Sequence, residues 1–144
     1  MTTFHLTQVV PAPMAAAWAD LSDLGAHAEW MADAASITFD GPQRRGVGTR
    51  FDCVTRVGPL RTVDRMEVTR WDEGRELAVR HVGLVRGEGL FRLRPLDEAR
   101  TEIVWDEDLR FPWYFGGPLA ALFAAPILRR LWRGNLTRFA DRFA

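Results

Sequence analysis

The stretch PLAALFAAPILRRLWRGNLTRFADRFA, residues 118–144, decides the fold, because it is the only long helical segment in the sequence. One apolar stripe recurs at helical spacing along its second half: Leu128, Trp132, Leu136, Phe139 and Phe143. Arg130, Arg133 and Asp141 lie on the opposite side. A helix with one apolar stripe needs another layer of structure to bury it. We therefore predict that this helix packs across the strands that precede it.

Pro126 divides the segment into two parts. In the first part a second apolar stripe lies on nearly the opposite side of the helix: Leu119, Leu122, Phe123 and Ile127. Proline removes a backbone donor and disfavours helix at the residue before it. We predict a kink or break at Pro126 and a first half that is apolar on all sides. Such a surface, residues 119–128, suits a buried lid or an interface with a protein partner or a second copy of the chain.

The residues before this helix alternate with a period of two, which is typical of strands. Phe51, Cys53 and Thr55 share one face of the clearest strand, whereas Arg50 and Asp52 lie on the other. The predicted strands are residues 4–10, 35–40, 47–57, 60–71, 76–82, 88–94 and 101–109. The turns between the later strands are too short for parallel crossovers, so we predict antiparallel hairpins.

Two short helices are predicted between the first and second strands. Pro13 suits the first turn of the first helix, which carries Trp18 and Leu21 on its apolar face and ends near Asp23. The second continues through Trp30 and Met31. A single long helix cannot always close completely on a strongly curved sheet, and the space left over becomes a cavity. We therefore expect an internal ligand cavity.

Composition bounds the class of protein. The chain has 144 residues, 47% of them apolar and 26% charged, which predicts one globular domain over residues 1–144. Its formal net charge is zero. General nucleic-acid binding needs an excess of cations, so the charge balance argues against it and against docking on an anionic membrane.

Residue usage excludes several chemistries. All 19 basic residues are arginine, so a lysine Schiff base, a pyridoxal phosphate anchor and a phosphate-loop lysine are excluded. Cys53 is the only cysteine, which excludes an intrachain disulfide and predicts the reducing cytoplasm. The first residues lack the features of a signal peptide. The most apolar window, residues 113–128, is too short to span a membrane.

Several segments together resemble a known superfamily. They are Val10-Pro11-Ala12-Pro13 followed by Trp18, residues 24–30, Gly46-Val47-Gly48-Thr49, Phe91-Arg92-Leu93-Arg94-Pro95, residues 100–105 and the long terminal helix. This layout, over essentially the whole chain, resembles the START-like helix-grip superfamily called SRPBCC, and within it the polyketide cyclase/dehydrase-like group.

The resemblance implies an α+β fold. A seven-stranded curved antiparallel sheet would wrap around the C-terminal helix, with two short helices after strand one and a deep, mostly apolar cavity. Members of the superfamily bind lipids, sterols, polyketides and other hydrophobic molecules. Some cyclise polyketide chains, and others carry or sense a ligand. Fold alone does not select among these roles.

The strand alternation and the terminal helix together predict the residues that face a ligand. These are Phe51, Cys53, Met66, Val68, Val79, Phe91, Leu93, Ile103, Trp105, Tyr114, Leu119 and Phe123. Cys53 is expected to be buried and unreactive. The aromatic cluster around Tyr114 fits a cavity mouth and fits ordinary packing before a helix equally well. Gly83, Gly87 and Gly89 lack a dinucleotide-binding context and indicate a bulge or a close backbone approach.

Three ionisable residues share faces with these apolar positions and are candidates for acid–base catalysis: Asp64, His81 and Glu107. A carboxylate in an apolar pocket resists ionisation, and histidine exchanges protons near neutral pH. Together such groups would enolise a carbonyl and protonate a leaving hydroxyl, as in an aldol cyclisation with dehydration. His5, His27 and His81 are too scattered to predict a metal site, and no cofactor is predicted.

Each candidate also has a structural interpretation. If Ala78, Arg80 and Val82 face inward on the strand of residues 76–82, His81 points to water instead. Asp64 and Glu107 have several arginines near them in the sequence and would then form ion pairs: Arg56, Arg61, Arg65 and Arg110.

Three functions follow, and the cavity discriminates among them. A cavity lined almost wholly by carbon favours the leading hypothesis, a carrier or sensor of a small hydrophobic ligand that is not an enzyme. An open cavity with two or more inward ionisable groups favours a cofactor-independent cyclase or dehydratase. A collapsed cavity with an exposed apolar helix favours an interaction protein of the toxin or stress-response type.

Overall fold

The sheet and the long terminal helix form as the sequence predicts. The computed structural model describes residues 2–113 and 116–144. Its strands are β1 (Thr2–Val10), β2 (Ala34–Phe39), β3 (Arg50–Val57), β4 (Leu60–Asp72), β5 (Glu76–Val82), β6 (Arg86–Pro95) and β7 (Thr101–Arg110). Its α-helices are α1 (Met14–Leu21), α2 (His27–Trp30) and α3 (Pro118–Asp141), and a 3-10 helix (Leu24–Ala26) precedes α2.

All seven strands described join one antiparallel sheet in the order β1-β7-β6-β5-β4-β3-β2. Strands β2 to β7 follow one another as hairpins, and β1 pairs with β7 at the other edge. With α3 against its inner face and two short helices after β1, the sheet forms the predicted helix-grip fold.

The strand predicted from residue 47 begins three residues later, at Arg50. Gly46 and Gly48 have φ angles of 83° and 92°, in the left-handed region that extended strands do not use. Val47 between them is 61% exposed. The period-two pattern therefore continues in the sequence beyond the point at which the backbone leaves the sheet.

Helix α3 continues through Pro126, so the predicted break is wrong. Proline at this position removes one intrahelical hydrogen bond, but the turns on both sides retain theirs. Pro118 occupies the first turn, where its missing N–H costs nothing. A kink at Pro126 stays a prediction.

The second half of α3 is packed against the sheet. Trp132, Leu136 and Phe139 are at most 7% exposed. The Trp132 ring lies 4.8 Å from that of Phe4 and 5.1 Å from that of Trp105, measured between centroids. Burial of side chains of this size stabilises a fold by roughly 1.5–3 kcal/mol each. This half of α3 therefore covers one end of the inner face of the sheet.

A polar clamp fixes the same half of the helix. Trp132 Nε1 and Asn135 Nδ2 donate to the two carboxylate oxygens of Asp33, at 3.1 and 2.7 Å. Asn135 Oδ1 accepts from the backbone N–H of Ala32 at 2.9 Å. Asn135 is fully buried, so these bonds satisfy an amide that would otherwise be costly to desolvate.

The first half of α3 is not packed. Four of its large apolar side chains are more than half exposed: Leu119, Leu122, Phe123 and Ile127. The prediction that they form a buried lid is therefore wrong. The stripe correctly shows which residues lie together, but their side of the helix is exposed. An exposed apolar surface remains.

Candidate functional site

A cavity of about 310 Å³ lies between the inner face of the sheet and α3. Leu24, His27 and Met31 line it at the end near α2. Leu60 and Ile127 also line it but are 69% and 57% exposed, so they mark where it opens. The volume is at the lower end of the range for small-molecule sites, roughly 300–1,000 Å³.

Most of the cavity wall is carbon. Six of the predicted ligand-facing residues line it: Phe51, Cys53, Met66, Val79, Phe91 and Trp105. Four residues of α3, which were not predicted as ligand contacts, line the opposite side: Ala124, Ile127, Leu128 and Trp132.

Other predicted ligand contacts do not line the cavity. Val68, Leu93 and Ile103 each lie two residues away from a lining residue on the same strand, and they are buried in the packed core. Leu119 and Phe123 are exposed on α3 and lie outside the cavity. Tyr114 lies outside the described residues. Alternation reveals the face on which a residue lies, but not its depth along the sheet.

All three candidate acid–base residues line the cavity: Asp64, His81 and Glu107. On β5, Leu77, Val79 and His81 face inward, so the alternative in which His81 points to water is wrong. The side chains of His81 and Glu107 are 12% and 4% exposed. The structure therefore brings a histidine and two carboxylates to one apolar cavity.

His81 and Glu107 form a buried pair. His81 Nε2 lies 2.5 Å from Glu107 Oε1, and Trp105 Nε1 donates to Glu107 Oε2 at 2.9 Å. Burial alone would lower the pKa of His81, but the hydrogen bond and charge of Glu107, with the charge of Asp64, outweigh it. The pKa of His81 is therefore raised, and the ring holds its proton at pH values where free histidine loses it.

Asp64 is held by Thr55, whose Oγ1 donates to Asp64 Oδ2 at 2.7 Å. The predicted pairing with arginine is wrong for both carboxylates in the part of the chain that the structure describes. Arg65 instead pairs with Asp52 on the outer face of β3 and β4, at 3.2 Å. Odd and even positions of each strand thus separate the outer ion pairs from the inner acid–base groups.

Two further groups in the cavity are held uncharged. His27 Nε2 donates to the Leu21 carbonyl at 2.7 Å, and burial lowers the pKa of His27. Burial likewise raises the pKa of the Cys53 thiol to about 11, which keeps it protonated at neutral pH. These groups shape the cavity without charge, whereas the raised pKa of His81 favours its protonated form.

Some features of the site were missed by the sequence analysis. The Thr55 hydroxyl and the Trp105 indole orient the two carboxylates, but strand periodicity carries no signal for side-chain hydrogen bonds. Gly89 lies directly beneath the Glu107 carboxylate. The period-two spacing of Gly87 and Gly89 was a signal for this close approach.

Within residues 2–113 and 116–144, no group of three or more histidine, cysteine, aspartate or glutamate side chains is arranged to hold a metal ion. Over the same residues, no helix combines the length and apolarity needed to cross a membrane.

Comparison with known proteins agrees with this geometry. A family model described as polyketide cyclase / dehydrase and lipid transport matches residues 1–144. No curated protein matches the chain in sequence.

Solved structures share the fold. A protein of Thermus thermophilus is 18% identical, with a TM-score of 0.82 over 99% of this chain and 97% of its own. The Zhui aromatase/cyclase of a Streptomyces species is 18% identical, with a TM-score of 0.81 over 98% and 92%. A START superfamily protein of Mycobacterium smegmatis is 17% identical, with a TM-score of 0.77 over 96% and 97%. At these identities the likeness establishes the fold alone.

Proposed function

This chain belongs to the polyketide cyclase / dehydrase and lipid transport family, and we propose that it binds a small hydrophobic carbonyl compound and promotes its cyclisation or dehydration by acid–base catalysis. The observation that carries the proposal is the His81–Glu107 pair, which lines an apolar cavity. His81 Nε2 and Glu107 Oε1 are 2.5 Å apart. Burying a charged pair costs several kcal/mol per ion before its mutual attraction is counted. A purely apolar wall would bind a hydrophobic ligand without that cost.

The roles of the three groups follow from their environments. His81 is the general acid, because its raised pKa keeps a proton available inside the cavity. Glu107 is a positioning residue that holds the His81 ring and stabilises its charge. Asp64 is the general base, with one carboxylate oxygen fixed by Thr55.

A dehydration step then balances as follows. Asp64 removes the proton from the carbon next to the carbonyl of a β-hydroxyketone, and the electron pair of that C–H bond forms the new carbon–carbon double bond. The bond to the hydroxyl breaks as His81 protonates the leaving oxygen, so water and an enone are the products. Water then returns the proton from Asp64 to His81. Positioned acid–base groups contribute about 10²–10⁴-fold each.

A carrier or sensor without catalysis is the second candidate function. The observation that favours it is the carbon surface of most of the cavity, which suits binding without chemistry. Both candidates use the same cavity, but inward ionisable groups distinguish them, and three are present. We therefore rank acid–base catalysis ahead of transport, reversing the order that the sequence suggested. We place this activity in the cytoplasm, where the unpaired Cys53 stays reduced.

The test compares binding with turnover. Naphthol fluorescence measures ligand binding, and the aldol of benzaldehyde and acetone reports dehydration through the absorbance of the enone. We expect His81→Gln and Asp64→Asn each to lower the dehydration rate by about 100-fold or more, while naphthol affinity stays within about threefold. Asp52→Asn is the matched control, because Asp52 pairs with Arg65 on the outer face.

The possible results separate the candidates. Binding without dehydration by the parent protein would overturn the catalytic proposal and leave the carrier. Absence of naphthol binding would contradict both.

A further inference from the structure

The inward positions of β6 change from glycine to large apolar residues along the strand. Its inward positions are Gly87 and Gly89 near the acid–base pair, followed by Phe91 and Leu93 in or near the core. β6 lies between β5, which carries His81, and β7, which carries Glu107. Gly87 pairs with His81, and Gly89 pairs with Glu107.

His81 and Glu107 therefore meet across an intervening strand. Neighbouring strands lie about 4.8 Å apart, so the backbones of β5 and β7 are separated by about twice that distance. The two side chains bridge this gap by lying flat over β6. Any inward side chain on β6 at this point would occupy the same space.

Gly89 is the residue over which Glu107 lies. A Cβ atom at Gly89 would be 2.1 Å from Glu107 Oε2, 2.9 Å from its Cδ and 3.2 Å from Oε1. Real Cβ atoms do not approach carboxylates so closely. Even the smallest side chain, that of alanine, would thus displace the Glu107 carboxylate from its present position.

The backbone does not explain the glycine. The φ angle of Gly89 is not in the left-handed region, so an L-residue fits its conformation. Gly87 differs, because its φ is 147° and a Cβ there would lie 1.7 Å from the Asp108 carbonyl oxygen. Gly87 is therefore required by its own backbone conformation and by the neighbouring backbone of β7. Gly89 is required only because a side chain there would collide with the Glu107 carboxylate.

We propose that Gly89 is a positioning residue for acid–base chemistry, because its missing side chain lets Glu107 cross β6 and hold His81. The catalytic use of the pair rests on the proposed function, but the positioning itself does not. The prediction is that Gly89→Ala separates Glu107 from His81, so that burial again dominates the environment of the ring. The raised pKa of His81 is then lost.

The test is an NMR titration of the histidine rings, with the His81 signal assigned from its absence in His81→Gln. We expect the pKa of His81 to fall in Gly89→Ala, as it falls in Glu107→Gln. Gly25→Ala is the control, because a Cβ at Gly25 would meet Phe39 at an ordinary 3.5 Å. An unchanged pKa of His81 in Gly89→Ala would overturn the proposal.

A double-mutant cycle tests the same contact through stability. Gly89→Ala should destabilise the parent protein in urea denaturation but have a smaller effect in a Glu107→Ala background, where the carboxylate is absent. Equal effects in both backgrounds would show that Gly89 serves the backbone and would refute the proposal. If Gly89→Ala does not fold alone, folding of the double variant supports the proposal, and its failure to fold contradicts it.

The two proposals fail separately. Neither the titration nor the cycle uses a ligand or turnover. If the protein does not dehydrate the test aldol, the catalytic role of the pair is refuted. The dependence of the His81 pKa on Gly89 is still tested independently by the NMR titration.

Discussion

The two halves of α3 are similarly rich in large apolar residues but are used in opposite ways. In the second half, Leu136 and Phe139 are almost completely buried against the sheet and the short helices. In the first half, Leu122 and Phe123 are 67% and 73% exposed, while Ile127 borders the cavity opening. The helix thus packs on the sheet at one end, called the closed end, and leaves the cavity open at the other, called the open end.

Within α3, the buried second half therefore stabilises the fold, whereas the exposed first half borders the opening of the proposed binding cavity. β6 shows the same division, with Phe91 and Leu93 at the closed end and Gly87 and Gly89 at the open end. Large side chains fill the closed end, and small ones leave space for a polar pair at the other. The acid–base groups therefore lie where packing is incomplete.

The largest expected effect compares one phenylalanine from each half. Phe139→Ala should lower the free energy of unfolding by about 3–5 kcal/mol, because it leaves a cavity in a packed core. Phe123→Ala should change it by at most about 0.5 kcal/mol, as is usual at exposed positions. Urea denaturation of both variants measures the difference. Equal losses would mean that the first half of α3 is packed in solution.

A second expected effect compares the two cavity histidines. The raised pKa of His81 means that its contribution to stability is complete below about pH 6.5 and is lost as pH rises through its native pKa. The lowered pKa of His27 acts in the opposite sense, so its penalty grows as pH falls below about 6.5.

Denaturation between pH 5 and pH 9 checks this contrast. We expect His81→Gln to remove part of the decline in stability on the alkaline side, and His27→Gln to remove part of the decline on the acid side. The predicted opposite effects of His81 and His27 are wrong if both substitutions change stability on the same side, acid or alkaline, of the pH profile.

The smallest expected effect concerns Thr55, which bonds Asp64 at the open end. Thr55→Val should cost about 1.5–3 kcal/mol of stability, the net value of one hydrogen bond to a charged group, and should also slow dehydration. Thr62→Val is the matched control, because Thr62 lies directly opposite Thr55 and lines the same cavity. The role of Thr55 is refuted if both variants slow the reaction equally.

Sequence periodicity predicted the closed end better than the open one. The stripe through Trp132, Leu136 and Phe139 and the alternation on β3 to β7 correctly gave the helix, the sheet and their facing sides. Those patterns report a face, because helical and extended geometry repeat every 3.6 and 2 residues. They also placed Asp64 and Glu107 on the inner face, whereas the sequence left open whether His81 points inward or to water.

Depth and partners could not be predicted in the same way. Met66 lines the cavity and Val68 is in the core, although both occupy the same face of β4. His81 and Glu107 meet only because the register of three strands puts Gly89 between them. The helix sequence likewise does not encode whether another element covers Phe123, which is 73% exposed.

The central claim is that a ligand bound in this cavity reaches His81. The most direct measurement is NMR of the three histidine rings during titration with naphthol. We predict a saturable shift of the His81 signal, while the signal of the exposed His5 on β1 stays in place. Saturable binding that leaves the His81 signal unmoved, or no binding at all, would contradict the account.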